Sequence, residues 1–420
     1  VSITLTAQTE GFSITGGAYA DALTGGSGDD SFMGFVGADT VTGGNGTDTL
    51  VLTATSATLN TATNAQLATV EAVSASGAVA GVTITLSSQT EGFSIAGGAF
   101  ADTLTGASGA DYIQAGSGDD IVRGFVGADT IDGGDGNNSL LLTATSLTLN
   151  AASNVQLVNV QTISAAGATA SVLINLSSQT ESLKIIGSNY SDTLGGGAGN
   201  DLITGAIGND TILGFVGADT VDGGGGSNTL TLTATSTTLN LASDGQLVNV
   251  QTISATGATR GVAINLSSQM EALNILGSSY NDTLTGGSAG DVVTGGIGND
   301  ILYGKAGNDT LNGNGGFDIF VFDSTLGPSN IDRIVGFNVV DDLIFLSSAK
   351  FQGMSIGALD PGAFVSGASP VVDASDRIIF NTTTGSLSFD QDGAGGFAAV
   401  QFATLSGWAG ALAAKNFYVI

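Results

Sequence analysis

Residues 277–321 read GSSYNDTLT, GGSAGDVVT, GGIGNDILY, GKAGNDTLN and GNGGFDIFV, five rows of nine with no gap. Each row opens on Gly, with Asp282, Asp291, Asp300, Asp309 and Asp318 sixth and Leu284, Val293, Leu302, Leu311 and Phe320 eighth. Six residues of Gly, small and acidic types suit a turn, because Gly takes positive φ freely and Asn and Asp tolerate it. Three residues then suffice for a short strand whose apolar eighth side chain points inward while the seventh and ninth point outward. Two rows make one coil. Coils stacked about 4.8 Å apart set the Asp of one row against the Asp two rows on, with turn carbonyls converging between them. Such a column of carboxylates needs a cation. An oxygen-only donor set selects a hard ion, and the flexible coordination that turn carbonyls impose suits Ca²⁺ better than Mg²⁺. Ions between rows one and three, two and four, and three and five give about three sites per five-row array.

The same frame recurs three times upstream. Array one covers 16–51 in four rows, with Asp21, Asp30, Asp39 and Asp48; array two covers 97–141, with Asp102, Asp111, Asp120 and Asp129, then Asn138. Array three covers 187–231, with Asp192, Asp201, Asp210 and Asp219, then Asn228; array four is 277–321. Of the 19 rows, 17 carry Asp sixth and all carry an apolar residue eighth. Spacers at 52–96, 142–186 and 232–276 are each 45 residues, five nines, so the larger repeat is 90 residues; FVGADT recurs at 35, 125 and 215. Residues 1–15 read as entry strands.

The spacers (LVLTAT, TVEAVSA, GVTITLS) are rich in Val, Ile and Thr between Gly, Asn and Ser turns, which predicts strands throughout. Equal length and few acidic residues predict metal-free coils that continue one parallel solenoid. Each array is entered through a Glu, at Glu10, Glu91, Glu181 and Glu271, either a ligand to the first ion or a solvated turn residue. Asn138 and Asn228 stand where no further row follows and a charge is not needed. From 322 to 420 the pattern changes to alternating strands with concentrated aromatics, a β-rich cap for the solenoid end. Within it Asp390 and Asp392, in SFDQDGAGG, form either one more calcium site or an acidic hairpin turn, and Trp408 reads as a packing residue.

Composition excludes several functions. The 420 residues include 66 Gly, three Pro, no Cys and no His, which removes disulfides, zinc fingers and His-based catalysis. A net charge of -29 repels nucleic acid and anionic lipid and favours divalent cations. Hydrophobic residues make up 42% of the chain, so it can bury a core once that charge is neutralised. No run of 18 apolar residues occurs, which argues against membrane insertion.

The nonapeptides resemble those of RTX proteins, and the tail, DRIIFNTTTGSLSFDQDGAGGFAAVQFATLSG closing on LAAKNFYVI, is similar to the C-terminal segment that type I secretion systems of Gram-negative bacteria read for export. The resemblance implies a right-handed parallel β-roll, calcium held by the sixth-position Asp and turn carbonyls, and a secreted, extracellular or cell-surface location. The 45-residue spacers are more like the architecture of RTX surface-layer proteins and large adhesins than of toxins or proteases. The expectation is therefore an all-β parallel β-roll or solenoid, not an enzyme, that folds on multiple Ca²⁺ ions. Its expected role is a bacterial surface-layer or filament protein. Its expected partners are further copies of itself, the type I secretion machinery and cell-surface polysaccharide. The alternative is the C-terminal calcium-binding stalk and export module of a larger adhesin or secreted enzyme.

Overall fold

A strand of three residues is too short to hold alone, and here each one is held by stacking on its copy in the next coil. The computed structural model describes all residues, Val1–Ile420, and divides into two compact units, Val1–Asp210 and Thr211–Ile420. Both are parallel β-solenoids.

In the first unit Ser13–Thr15, Ser31–Met33 and Thr49–Val51 lie side by side, with Ile14, Phe32 and Leu50 in one file. The opposite face carries Ser2–Thr4, Ala22–Thr24 and Thr40–Thr42. Partners inside an array are 18 residues apart, two rows, as the nine-residue frame requires. The eighth-position side chains fill the space between the sheets: Leu23, Phe32, Val41 and Leu50 are all buried. Each such side chain contributes about 1.5–3 kcal/mol relative to an exposed one.

The spacers continue the stack as wider coils: Leu50 aligns with Val73 and Val73 with Ile95, 23 and 22 residues on. They are not strand throughout, contrary to the expectation from their β-branched content. One sheet stops at Leu67–Ala68, and the next on that face begins at Thr83–Thr85. A helical turn, Leu59–Thr61, covers the exposed edge. There Asn60 Nδ2 donates to Thr83 O (3.1 Å) and Thr85 N donates to Asn60 Oδ1 (2.8 Å), so one side-chain amide pairs the strand as a neighbouring backbone would. Ser56 nucleates the turn, its Oγ accepting from Leu59 N and donating to Phe35 O. Leu147–Asn150 repeats the device through Asn150 on Leu173 and Asn175.

In the second unit Leu239–Leu241 carries the third copy, with Asn240 on Ala263 and Asn265. Array four stacks through Ala263–Asn265, Thr283–Thr285, Ile301–Tyr303 and Ile319–Phe322 on one face. The other face stacks through Asn274–Leu276, Val292–Ile297 and Thr310–Gly315. Asp332–Val335 and Leu343–Leu346 add one more coil.

The chain then turns antiparallel. Val400–Ser406 lies parallel to Asp332–Val335 but antiparallel to Ser386–Phe389, which pairs antiparallel with Ile378–Asn381. Aromatics close this end: Phe351 meets Phe389 and Phe402 edge-on at 5.2 and 5.1 Å, and Trp408 sits edge-on to Phe380 at 5.4 Å. Trp408 thus packs, as expected. No helix is long and apolar enough to cross a membrane.

Candidate metal centre

All 17 sixth-position aspartates are buried, at 4% exposure or less. Stacking puts them in columns. The main-chain N–H of one Asp donates to Oδ1 of the Asp two rows on: Asp21 to Asp39, Asp30 to Asp48, Asp102 to Asp120, Asp111 to Asp129 and Asp192 to Asp210, at 2.7–3.0 Å. In array four Asp282, Asp291 and Asp300 donate in the same way to Asp300, Asp309 and Asp318. Preceding strands lead into each column, with Val82, Phe93, Leu183 and Leu273 donating to Asp102, Asp111, Asp201 and Asp291.

The second carboxylate oxygen divides the rows into classes, and the backbone at position two decides which. Where that residue keeps negative φ, its N–H turns inward to Oδ2. Gly17, Gly26, Gly98, Ala107, Ser188, Gly197, Ser278 and Gly287 so close Asp21, Asp30, Asp102, Asp111, Asp192, Asp201, Asp282 and Asp291. Where position two is left-handed, at Gly44, Gly116, Gly296, Lys305 and Asn314, the N–H turns away. The Oδ2 atoms of Asp48, Asp120, Asp300, Asp309 and Asp318 then have no hydrogen-bond partner. Asp210 lies in a row with the same turn, at Ala206.

The FVGADT rows form a third class that nine-residue counting did not separate. Phe35, Phe125 and Phe215 occupy position two and are buried, and the N–H of Val36, Val126 and Val216 satisfies Asp39, Asp129 and Asp219. In these rows the amide of the third residue, rather than the second, faces the carboxylate.

Electrostatics show what the open rows lack. Burial raises the pKa of Asp48, Asp120, Asp309 and Asp318, and raises Asp300 to about 7, with neighbouring carboxylates adding to the shift. Ordinary aspartates titrate near 4. The two ion pairs in the chain, Val1 with Asp21 and Lys305 with Asp323, leave the open carboxylates without a basic partner. The row-leading glycines define the space beside them. A Cβ on Gly187 would lie 2.5 Å from Gly205 O and 2.6 Å from Asp192 Oδ2, and one on Gly295, Gly304 or Gly313 would collide with the Oδ2 of its own row. Beside Gly187, Gly25 and Gly286 a carboxylate oxygen and a turn carbonyl converge, Asp192 with Gly205 O, Asp30 with Gly43 O and Asp291 with Gly304 O. No three acidic side chains gather at one point, so the donor set is carboxylate plus main-chain carbonyl, which fits a hard cation such as Ca²⁺. The residues that would hold it are the column aspartates and the turn carbonyls that face them, as at Asp30 with Gly43 O and Asp291 with Gly304 O.

The columns run past the arrays into residues that sequence reading passed over. Asp309 N donates to Asp332 Oδ1 (3.1 Å) and Asp318 N to Asp342 Oδ1 (3.0 Å), both acceptors buried. Their signal was an Asp two residues before a buried apolar strand position, as in every row, but at 23 and 24 residues rather than 18. The entry glutamates lie outside the columns. Glu91 and Glu181 accept from Asn64 and Asn154 of the preceding spacer (3.0 and 3.1 Å), and Glu10 and Glu271 are exposed. Asp390 and Asp392 close a hairpin turn: Asp390 Oδ1 accepts from Asp392 N and Asp392 Oδ2 from Gly396 N.

A parallel β-solenoid whose turns present buried carboxylates and carbonyls to a hard cation is a calcium-binding β-roll. The family model described as "RTX calcium-binding nonapeptide repeat (4 copies)" matches residues 15–50, 94–140, 184–230 and 274–320. The four arrays are RTX repeats, and they bind calcium ions, several per repeat region. No curated protein matches the chain.

Proposed function

We propose that this is a secreted structural protein of a bacterial surface layer or extracellular filament, whose arrays fold when calcium is met outside the cell. The observation that carries the reading is the set of buried carboxylates with an unpartnered oxygen, Asp48, Asp120, Asp300, Asp309 and Asp318, none of them in an ion pair. At low calcium these groups repel one another and keep the chain extended enough for export. At extracellular calcium, whose sites have dissociation constants of roughly 0.1–1 mM, each bound ion adds to folding free energy by linkage.

Assembly rests on shape. Phe364–Gly367 ends its sheet and pairs with one neighbour only, so the cap offers a strand edge to another β-element. The deciding experiment titrates CaCl₂ into chelated protein and follows circular dichroism, light scattering and electron microscopy together. Strand signal with ordered sheets or fibres above one calcium threshold supports the reading. Folding without assembly moves the chain to a calcium-stiffened stalk and export module of a larger adhesin or enzyme. No calcium-dependent folding overturns both.

A further inference from the structure

The three junctions between an array and its following spacer occupy equivalent places in the 90-residue repeat but differ in one correlated exchange. At the first junction the last row carries Asp48 and the spacer carries Glu71; at the second the pair is Asn138 and Gln161; at the third, Asn228 and Gln251. Each pair has the same backbone contact. Glu71 Oε2 accepts from Asp48 N (2.8 Å), Gln161 Oε1 from Asn138 N (2.6 Å) and Gln251 Oε1 from Asn228 N (2.7 Å).

What differs is the group aimed at the junction. Asn138 Nδ2 donates to Asn159 O (3.0 Å) and Gly134 O (3.3 Å), and Asn228 Nδ2 donates to Asn249 O (2.9 Å) and Gly224 O (3.5 Å). Two carbonyls are thus bridged by one amide group. At the first junction the carbonyl corresponding to Asn159 and Asn249 is that of Thr69, held in the same left-handed conformation (φ 48° against 54° and 55°). It faces Asp48 Oδ2 across the space a Cβ on Gly43 would fill, as Asn159 O faces Asn138 Nδ2 beside Gly133. Asp48 is fully buried, and its Oδ2 has no hydrogen-bond partner. A carbonyl and a carboxylate are both acceptors, so a positive group is missing where the other two junctions have an N–H₂.

We propose that the first junction is a divalent-cation site of its own, calcium by its all-oxygen donors, formed by Asp48 Oδ2 and the Thr69 carbonyl with Glu71 supplying a second negative charge. The second and third junctions have exchanged the ion for the amides of Asn138 and Asn228. Asp48 ends the column of array one, and the other half of this site belongs to the spacer. It rests on the calcium reading of the arrays and adds that the shortest array, with four rows, recruits its spacer to complete a site. The exchange of both acids for both amides follows from charge: removing the ion from a junction that kept either carboxylate would strand a buried or adjacent negative charge.

The test is the calcium count of the full chain, by equilibrium dialysis against CaCl₂ with elemental analysis. D48N/E71Q installs the pair the other junctions already use, so it folds and binds one calcium fewer per chain. N138D/Q161E binds one more. An unchanged count in both variants overturns the proposal and means that Asp48 closes the junction as a protonated acid bonded to Thr69 O. Should D48N/E71Q fail to fold, N138D/Q161E alone decides. A wild-type chain that binds no calcium removes the calcium reading itself, an outcome distinct from a correct array count with no change at the junction.

Discussion

At the residue scale the backbone conformation of one turn position sorts chemically identical aspartates. Asp291 and Asp300 stand in adjacent rows of one array, yet Gly287 N holds Oδ2 of the first and no donor holds Oδ2 of the second, because Gly296 has φ near 119° and turns its amide away. Asp300→Asn should therefore weaken calcium binding by array four more than Asp291→Asn does, by roughly the tenfold or more that a pKa-scale loss of one to two units of charge interaction represents. Isothermal titration of the two variants checks this. The sign of the pH effect follows from the raised pKa. Folded Asp300 keeps its proton up to about 7, whereas the unfolded chain releases it near 4. Without calcium, array four should lose stability as pH rises from about 4 to about 7. The unfolded chain and the calcium-loaded fold both carry the deprotonated carboxylate over this window, so the stability of the calcium-loaded array should stay nearly level. Chelated and calcium-loaded melting curves at pH 5 and 7.5 separate the two trends.

At the element scale the solenoid is interrupted and repaired by single side chains. Asn60, Asn150 and Asn240 each pair both polar groups of a strand edge that starts a new sheet. Asn60→Ala leaves Thr83 O and Thr85 N unpaired and should cost about 1–3 kcal/mol, read as a lower chemical-denaturation midpoint in saturating calcium, with the calcium count unchanged. The buried files respond differently. Ile163 is fully buried between Leu140 and Ile185, and Ile163→Ala should cost about 2–5 kcal/mol.

At the scale of the whole molecule, charge and fold are linked. A net charge of -29 sits on a chain with 8 basic residues, and many of its acids are gathered in interior columns rather than spread over the surface. Such a molecule should show a cooperative calcium transition: chelation should unfold the arrays, while the aromatic cap around Phe351, Phe389 and Phe402 retains its near-ultraviolet signal longest because its rings pack on one another outside the nonapeptide rows. Circular dichroism in the near and far ultraviolet during chelation measures that order of loss.

The nine-residue period by itself determined the strand-turn unit, the 18-residue register, the identity of the inward side chains and the placement of one Asp per turn. Each is a local consequence of Gly and Asp chemistry repeated in phase. Tertiary structure alone decided which carboxylates are open, since that depends on whether a position-two amide faces inward, and Ala206, Lys305 and Asn314 adopt the left-handed turn without being Gly. It also decided that the FVGADT rows are filled by Phe, that the spacers carry a helical turn, and that Asp332, Asp342 and Glu71 join the columns. Those residues lie 23 or 24 positions from their partners, and only the stacking of a wider coil brings them to the place a nine-residue count reserves for the next row.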